Sequence, residues 1–285
     1  MTSCAQYDCS GLSDIGRARP ENEDQFLIAD LRTSLDIQST SLPGEEHHLV
    51  FGGATGQLLM VADGMGGHAA GREAAAIAVN TVVDHILHNT HWCDLLSADD
   101  SEMMKVLESA LSECGDRVHA EADRRPAQQG MGTTLTVAYI RWPKLHVVHV
   151  GDSRCYLLRE SKLKQLTTDH TLAEKMLAGG TLTVQQAAHT RLRHVLWNSI
   201  GGNSRGFKPD FHSVRLEPHD QIMLCTDGLT GHVSDARIAE VLAQQATSEG
   251  ACRQLIDEAN EAGGKDNITI VVARCDEPPE SSSCG

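Results

Sequence analysis

The chain has 285 residues, with 24 Lys and Arg against 39 Asp and Glu and a formal charge of −15 with His neutral. At roughly 100–200 residues per domain, this length allows one large domain or two small ones, with a core that needs no disulfide support. The acidic balance argues against a binder of nucleic-acid backbone, no apolar run reaches the roughly 18 residues of a membrane helix, and the start MTSCAQYDCS lacks the charged and apolar regions of a secretory signal.

A cytoplasmic, globular protein is therefore expected. The nine cysteines are scattered and form no C-x-x-C pair, which argues against structural zinc and for free thiols in a reducing compartment.

Taken in chain order, alternating apolar and β-branched residues predict a strand over Gln25–Leu31. The polar stretch Thr33–Gly56 reads as a surface loop, with or without a short hairpin. A strand follows over Gln57–Ala62, then helices over Ala69–His88 and Ser101–Asp123. Strands are expected over Gly132–Ile140, Leu145–Val150 and Arg154–Arg159, short helices over Leu172–Ala178, Ser234–Gln244 and Cys252–Ala262, and strands over Asp220–Cys225 and Ile268–Arg274. This order lacks the strict βαβα alternation of a parallel sheet and favours α+β with antiparallel sheets. Residues 276–285, rich in Pro, Glu and Ser, read as a disordered tail after a single domain over 1–275.

One pattern carries chemistry. Apolar strands run into an acidic residue at a turn: Val61-Ala62 into Asp63-Gly64, Val150-Gly151 into Asp152, Cys225-Thr226 into Asp227-Gly228. Asp266-Asn267 opens the last strand, and Glu23-Asp24 opens the first. Singly, each Asp-Gly is also a common turn signal. Together they bring several carboxylates to one edge, and raised pKa values or bound cations must offset their repulsion. All-oxygen ligands suit Mg²⁺ or Mn²⁺ rather than Zn²⁺, and Arg19, four residues before Glu23, suits a phosphate. Carboxylates, hard cations and a lone Arg point to hydrolysis of a phosphoryl ester.

These residues resemble the PPM-type (protein phosphatase 2C) family of metal-dependent serine/threonine protein phosphatases, in its bacterial form. The resemblance rests on six stretches in order: Asp14–Asp24, Val61–His68, Gly130–Thr134, Val150–Arg154 with Thr168-Asp169-His170, Cys225–Leu229 and Gly264–Asn267. It implies an αββα four-layer sandwich, two antiparallel sheets flanked by helices. By position it implies a first metal on Asp63, Asp227 and Asp266, a second on Asp63, the Gly64 carbonyl and Glu23, and a possible third on Asp152 with Asp227. Arg19 matches the phosphate-binding arginine, and Asp24 and Asn267 match supports behind the ligands. The implied reaction is attack of a metal-bridging hydroxide on phosphoserine or phosphothreonine, with no covalent phosphoenzyme, reversing the work of a cognate Ser/Thr kinase. A monomer is expected, acting on phospho-Ser/Thr proteins, and residues 170–201 correspond to a flap beside the site that contributes to substrate selection.

Met65 stands where many relatives carry a His in D-G-x-G-G. Leaving-group protonation then falls to metal-bound water by default, with His68 as the alternative. Two rival readings are an esterase using Ser153 of Gly151-Asp152-Ser153, and an inactive phosphoprotein binder. His85, His88 and His91 read as helix-end residues rather than a metal patch.

Overall fold

Why two sheets rather than one follows from the strands themselves. In Leu58-Leu59-Met60-Val61-Ala62 every residue is apolar and buried, so this strand needs a covered surface on each face. The computed structural model describes residues 7–36, 49–67, 69–88, 100–202 and 206–275. One five-stranded sheet runs β11 (Asp210–Arg215), β7 (Lys144–Val150), β6 (Leu135–Arg141), β3 (Leu49–Ala62), β2 (Gln25–Asp36). The other runs β1 (Tyr7–Asp14), β13 (Ile268–Cys275), β12 (Gln221–Cys225), β8 (Arg154–Arg159), β9 (Lys162–Gln165). All neighbouring pairs within these two sheets are antiparallel.

Three apolar cores fill the spaces between four layers. Period-two alternation sends Leu59, Val61, Ala138 and Val147 of the first sheet toward Leu157, Ile222, Leu224 and Val271 of the second. The opposite face of the first sheet, with Leu58, Met60, Val137 and Val148, packs on α1 (Ala69–His88) and α2 (Asp100–Arg124) through Ala74, Ala78, Val82, Leu107 and Leu111. The outer face of the second sheet packs Tyr156, Met223 and Ile270 against α6 (Asp235–Gln244) and α7 (Ser248–Glu261). The expected αββα sandwich is the observed one.

Between β9 and β11 lie α3 (Leu172–Ala178), α4 (Val184–His189) and a 3-10 turn at Arg191–His194. A one-turn helix, α5 (Asp227–Thr230), follows β12. A small third sheet joins β10 (Ile200–Gly201), β5 (Gly132–Thr133) and β4 (Gly64–Met65). Of the polar stretch Thr33–Gly56, expected as a surface loop with or without a short hairpin, the described parts are strand: β2 reaches Asp36 and β3 starts at Leu49, while residues 37–48 lie outside the described residues. Backbone pairing with register shifts near Arg32 and Ser34 carries this extension, which apolar alternation does not mark. The predicted tail at 276–285 lies outside the described residues.

Candidate functional site

Strand ends place the acidic residues. Asp63 follows β3, and its backbone is fastened to the Thr133-Thr134 pair. The Asp63 amide donates to Thr134 Oγ1 at 3.0 Å, and its carbonyl accepts from Thr134 N and Thr133 Oγ1, each at 2.9 Å. Gly64 must be glycine, because a Cβ there would strike the Gly71 carbonyl, and a Cβ on Gly71 would strike Glu23 Oε2. Glu23 is thereby pressed against the first turn of α1. Asp152 follows Gly151, whose φ of +116° turns the chain out of β7. Asp227 is the first residue of α5, and Asp266 precedes β13.

The segment 15–24, which carries Arg19 and Glu23, is held from the other end of the sequence. Asn267 Oδ1 accepts from the Glu23 amide at 2.9 Å, while its Nδ2 donates to the carbonyls of Ile15 at 2.9 Å and Glu21 at 3.0 Å. Asp24 is buried, and its Oδ2 accepts from Thr226 Oγ1 at 2.9 Å and Thr269 Oγ1 at 2.7 Å. Thr226 directly precedes Asp227 beyond the end of β12, and Thr269 stands in β13, three residues after Asp266. Asp24 thus ties the segment that carries Glu23 to the turns that carry Asp227 and Asp266.

Arg19, Glu23, Asp63, Gly64, Asp152, Asp227 and Asp266 all line one cavity of about 870 Å³. Its electrostatics are strained. Desolvation pushes the Asp63 carboxyl well above the usual carboxylate range, and Asp24, Asp227, Asp152 and Asp266 add to the rise. Desolvation likewise raises Asp152, with Asp227 and Asp169 reinforcing it and Arg154 opposing. Desolvation carries Asp24 to about 7, although its two threonine donors pull it down. Arg19 Nη2 donates to Asp266 Oδ2 at 2.6 Å, which raises the guanidinium pKa further.

No three His, Cys, Asp or Glu side chains among the described residues are drawn into a ready-made chelate. The carboxylates stand around the cavity, and the Arg19–Asp266 pair neutralises one of them. Their chemistry still fits hard divalent cations. Every donor is oxygen, and neither Asp63 nor Asp152 has an ion-pair partner among the described residues. Asp24 Oδ1 is buried with no hydrogen-bond partner.

The segment between β9 and β11, expected as a flap beside the site, lines the cavity through residues that sequence reasoning did not single out, among them His194, Val195 and Trp197. His194 Nδ1 lies 3.9 Å from Asp227 Oδ2. No motif marks them, since their position depends on how the α3–α4 segment folds back. Ser153 is fully buried and hydrogen-bonded to Thr134 Oγ1 at 2.7 Å, so the esterase reading has no accessible nucleophile. His85 pairs with Glu113 at 2.8 Å, in keeping with a helix-packing role. His68 and His91 lie outside the described residues.

A family model described as protein phosphatase 2C matches residues 38–262. The serine/threonine protein phosphatase PstP of Mycobacterium tuberculosis is 35% identical over 224 residues, 79% of this chain and 41% of that protein. This chain therefore spans less than half the length of that relative. The protein phosphatase PhpP of Streptococcus pneumoniae is 30% identical over 270 residues, covering 95% of this chain and 98% of that one. A crystal structure of the catalytic domain of PstP in complex with two manganese ions matches with a TM-score of 0.73 at 29% identity, covering 95% of this chain and 99% of that one.

Proposed function

The chain belongs to the protein phosphatase 2C family, and from that premise we propose that its cavity hydrolyses phosphoserine and phosphothreonine esters of proteins. It is a metal-dependent serine/threonine protein phosphatase. The observation that carries the assignment to this cavity is the meeting of Arg19 with five carboxylates from five separate turns. The pairing of β1 with β13 supports reading 7–275 as one domain, because the site draws on both ends of the sequence.

Asp63, Asp227 and Asp266 would hold one ion; Asp63, Glu23 and the Gly64 carbonyl would hold a second. Asp152 with Asp227 offers a third position. Bound Mn²⁺ or Mg²⁺ supplies Lewis acidity, making water a nucleophile near neutral pH and offsetting charge at the phosphoryl group.

The chain's own residues do the rest. Arg19, half-exposed at the cavity rim, is free to exchange Asp266 for two phosphoryl oxygens, a geometry its planar fork favours. Asn267 and the Gly264 carbonyl, which accepts from Arg17 N at 2.6 Å, hold the Arg19 segment in place before substrate arrives. Met65 lines the cavity and carries no proton to donate, so the leaving oxygen takes its proton from water. Substrates are phosphoproteins, with those modified by a cognate Ser/Thr kinase as the physiological set and a monomer as the acting species.

The test is hydrolysis of p-nitrophenyl phosphate with Mn²⁺, with EDTA, and with Asp227→Asn. Activity that survives EDTA in full sinks the metal-dependent reading.

A further inference from the structure

The main cavity does not end at the carboxylates. A second cavity of about 330 Å³ opens from it, sharing Asp152, Asp227 and His194. Its far wall is the segment from residue 170 to residue 201, where Leu177, Val184, Ala187 and Ala188 form an apolar patch beside the polar Thr171, Glu174 and Arg193. A volume of this order accepts one large apolar side chain.

Two further observations concern the surface of that segment. Among the described residues six large apolar side chains are exposed, and three of them, Val184 (71%), Val195 (42%) and Trp197 (41%), stand on this one segment. All three line one or other of the two cavities. Apolar groups gathered in a connected cleft mark a contact surface, whereas singly scattered ones do not. The segment also opposes the charge of the whole: Lys175, Arg191 and Arg193 stand against Glu174 alone, a net +2 on a chain of −15. Arg193 lines the second cavity, gives its Nε to His194 Nε2 at 2.8 Å and its Nη1 to the Ala188 carbonyl at 3.3 Å, and has no carboxylate partner among the described residues. Asp152, Asp169, Glu174 and Asp227 line the same cavity and disfavour an acidic side chain inside it; Arg154 there is already paired with Asp169 at 2.7 Å, which leaves Arg193 as the place where an acidic group is met.

We infer that the two cavities form one cleft for an extended phosphopeptide, in which the second cavity takes an apolar side chain a few residues from the phosphorylated one and Arg193 meets an acidic residue beside it. The inference rests on the phosphatase reading of the main cavity, and it adds a sequence preference that phosphate recognition alone does not supply. A few residues is the right spacing, because an extended chain advances about 3.3–3.6 Å per residue and the cavities adjoin.

The experiment uses the full chain with Mn²⁺ and a phosphothreonine peptide panel. In the panel an apolar residue or an acidic residue is moved through the positions on either side, and p-nitrophenyl phosphate is measured in parallel. Wild type should prefer, by about tenfold or more in kcat/KM, peptides with the apolar and acidic residues on one side, the discrimination expected of a pocket that gains one apolar side chain. Val184→Asp should cut the ratio of peptide to p-nitrophenyl phosphate kcat/KM about tenfold, through KM. Arg193→Glu should invert the acidic preference to a basic one. Equal turnover of all peptides by wild type overturns the inference, as does a loss in both variants that is the same for peptide and p-nitrophenyl phosphate. Absence of p-nitrophenyl phosphate hydrolysis in wild type overturns the phosphatase reading itself, a result separable from a flat peptide profile.

Discussion

Strand β12 carries an aspartate just beyond each end, and the two live under opposite rules. Asp220 is almost fully buried and fully compensated: Arg159 gives it Nε at 2.8 Å and Nη2 at 2.7 Å, and the Glu217 amide adds a third bond at 2.8 Å. Asp227, beyond Thr226 at the other end, faces Asp63, Asp152 and Asp24, and among the described residues its one ion-pair contact is His194 at 3.9 Å. The same residue type flanking the same strand is thus paired with a cation at one end and left among other carboxylates at the other. What separates them is the chain's own supply of positive charge. A carboxylate that a fold needs for itself brings its cation with it. Carboxylates that repel one another without one store a cost that binding relieves.

The largest test of this contrast is Asp227→Asn. Losing one carboxylate from the array should lower p-nitrophenyl phosphate turnover by about a thousandfold or more, the scale of losing transition-state charge stabilisation. It should not lower the thermal midpoint in EDTA, because the repulsion it removes outweighs the one long contact it loses, 3.9 Å to an exposed His194. A variant that loses activity by unfolding would erase the distinction between the two ends.

Removing metal sharpens the same point through pH. Asp24 titrates near 7 in the folded chain against an ordinary value of 3.8, and Asp63 and Asp152 are also raised. Raised carboxyls hold more protons folded than unfolded between about pH 4 and pH 7, so stability is greatest at the acidic side of that window and is lost as pH rises through it. In EDTA, urea midpoints should therefore fall from pH 5 to pH 7, with a slope of up to about 1.4 kcal/mol per pH unit for each proton involved. Asp24→Asn should reduce that slope, and Mn²⁺ should abolish or reverse it. Midpoints in EDTA that rise over the same interval would contradict the strained array.

At the compensated end the expected loss is of stability and not of rate. Arg159→Ala leaves Asp220 buried with one backbone donor and should cost about 2–3 kcal/mol, below the full range for a buried pair because Arg159 is about one-third exposed (32%). The kcat for p-nitrophenyl phosphate should be unchanged. A parallel fall in kcat would mean that the two ends are coupled through β12.

Much of this was legible in the sequence, for a physical reason. Asp63, Asp152, Asp227 and Asp266 each abut a run of apolar residues, and such runs are both strand signals and core signals, so the acids fall at sheet edges. Their convergence needed only that the sheets stack. The full length of the β2–β3 pairing was not legible: Ser34, Gly52, Gly53 and Gly56 are poor strand formers, and backbone hydrogen bonds formed there without an apolar alternation to announce them. Nor did β11 show itself, since Asp210–Arg215 is half-exposed at a sheet edge. His194, Val195 and Trp197 were hidden because nothing within that stretch records which residues turn toward the acids.

That stretch supplies the smallest and most local test. Its base is fastened: the Trp197 amide donates to the His170 carbonyl at 3.0 Å, the Leu172 amide to the Val195 carbonyl at 2.8 Å, and Asn198 Nδ2 to the Lys208 carbonyl at 2.7 Å. Above that base, the Trp197 ring is braced on one side by buried His170, with ring centroids 5.2 Å apart, and on the other by Lys175 Nζ, 4.7 Å from the ring centre. An exposed cation–π contact contributes about 0.5–1 kcal/mol. Lys175→Met keeps the aliphatic stem and removes the charge, so the ring loses one brace while its seat on His170 stays. KM for a phosphothreonine peptide should rise about two- to fivefold with kcat unaltered, because Trp197 lines the cavity while the acids are held by turns that Lys175 does not touch. A change in kcat of the same size would show that this segment reaches the chemistry itself, and the division between a fixed acidic end and an adjustable wall would have to be redrawn.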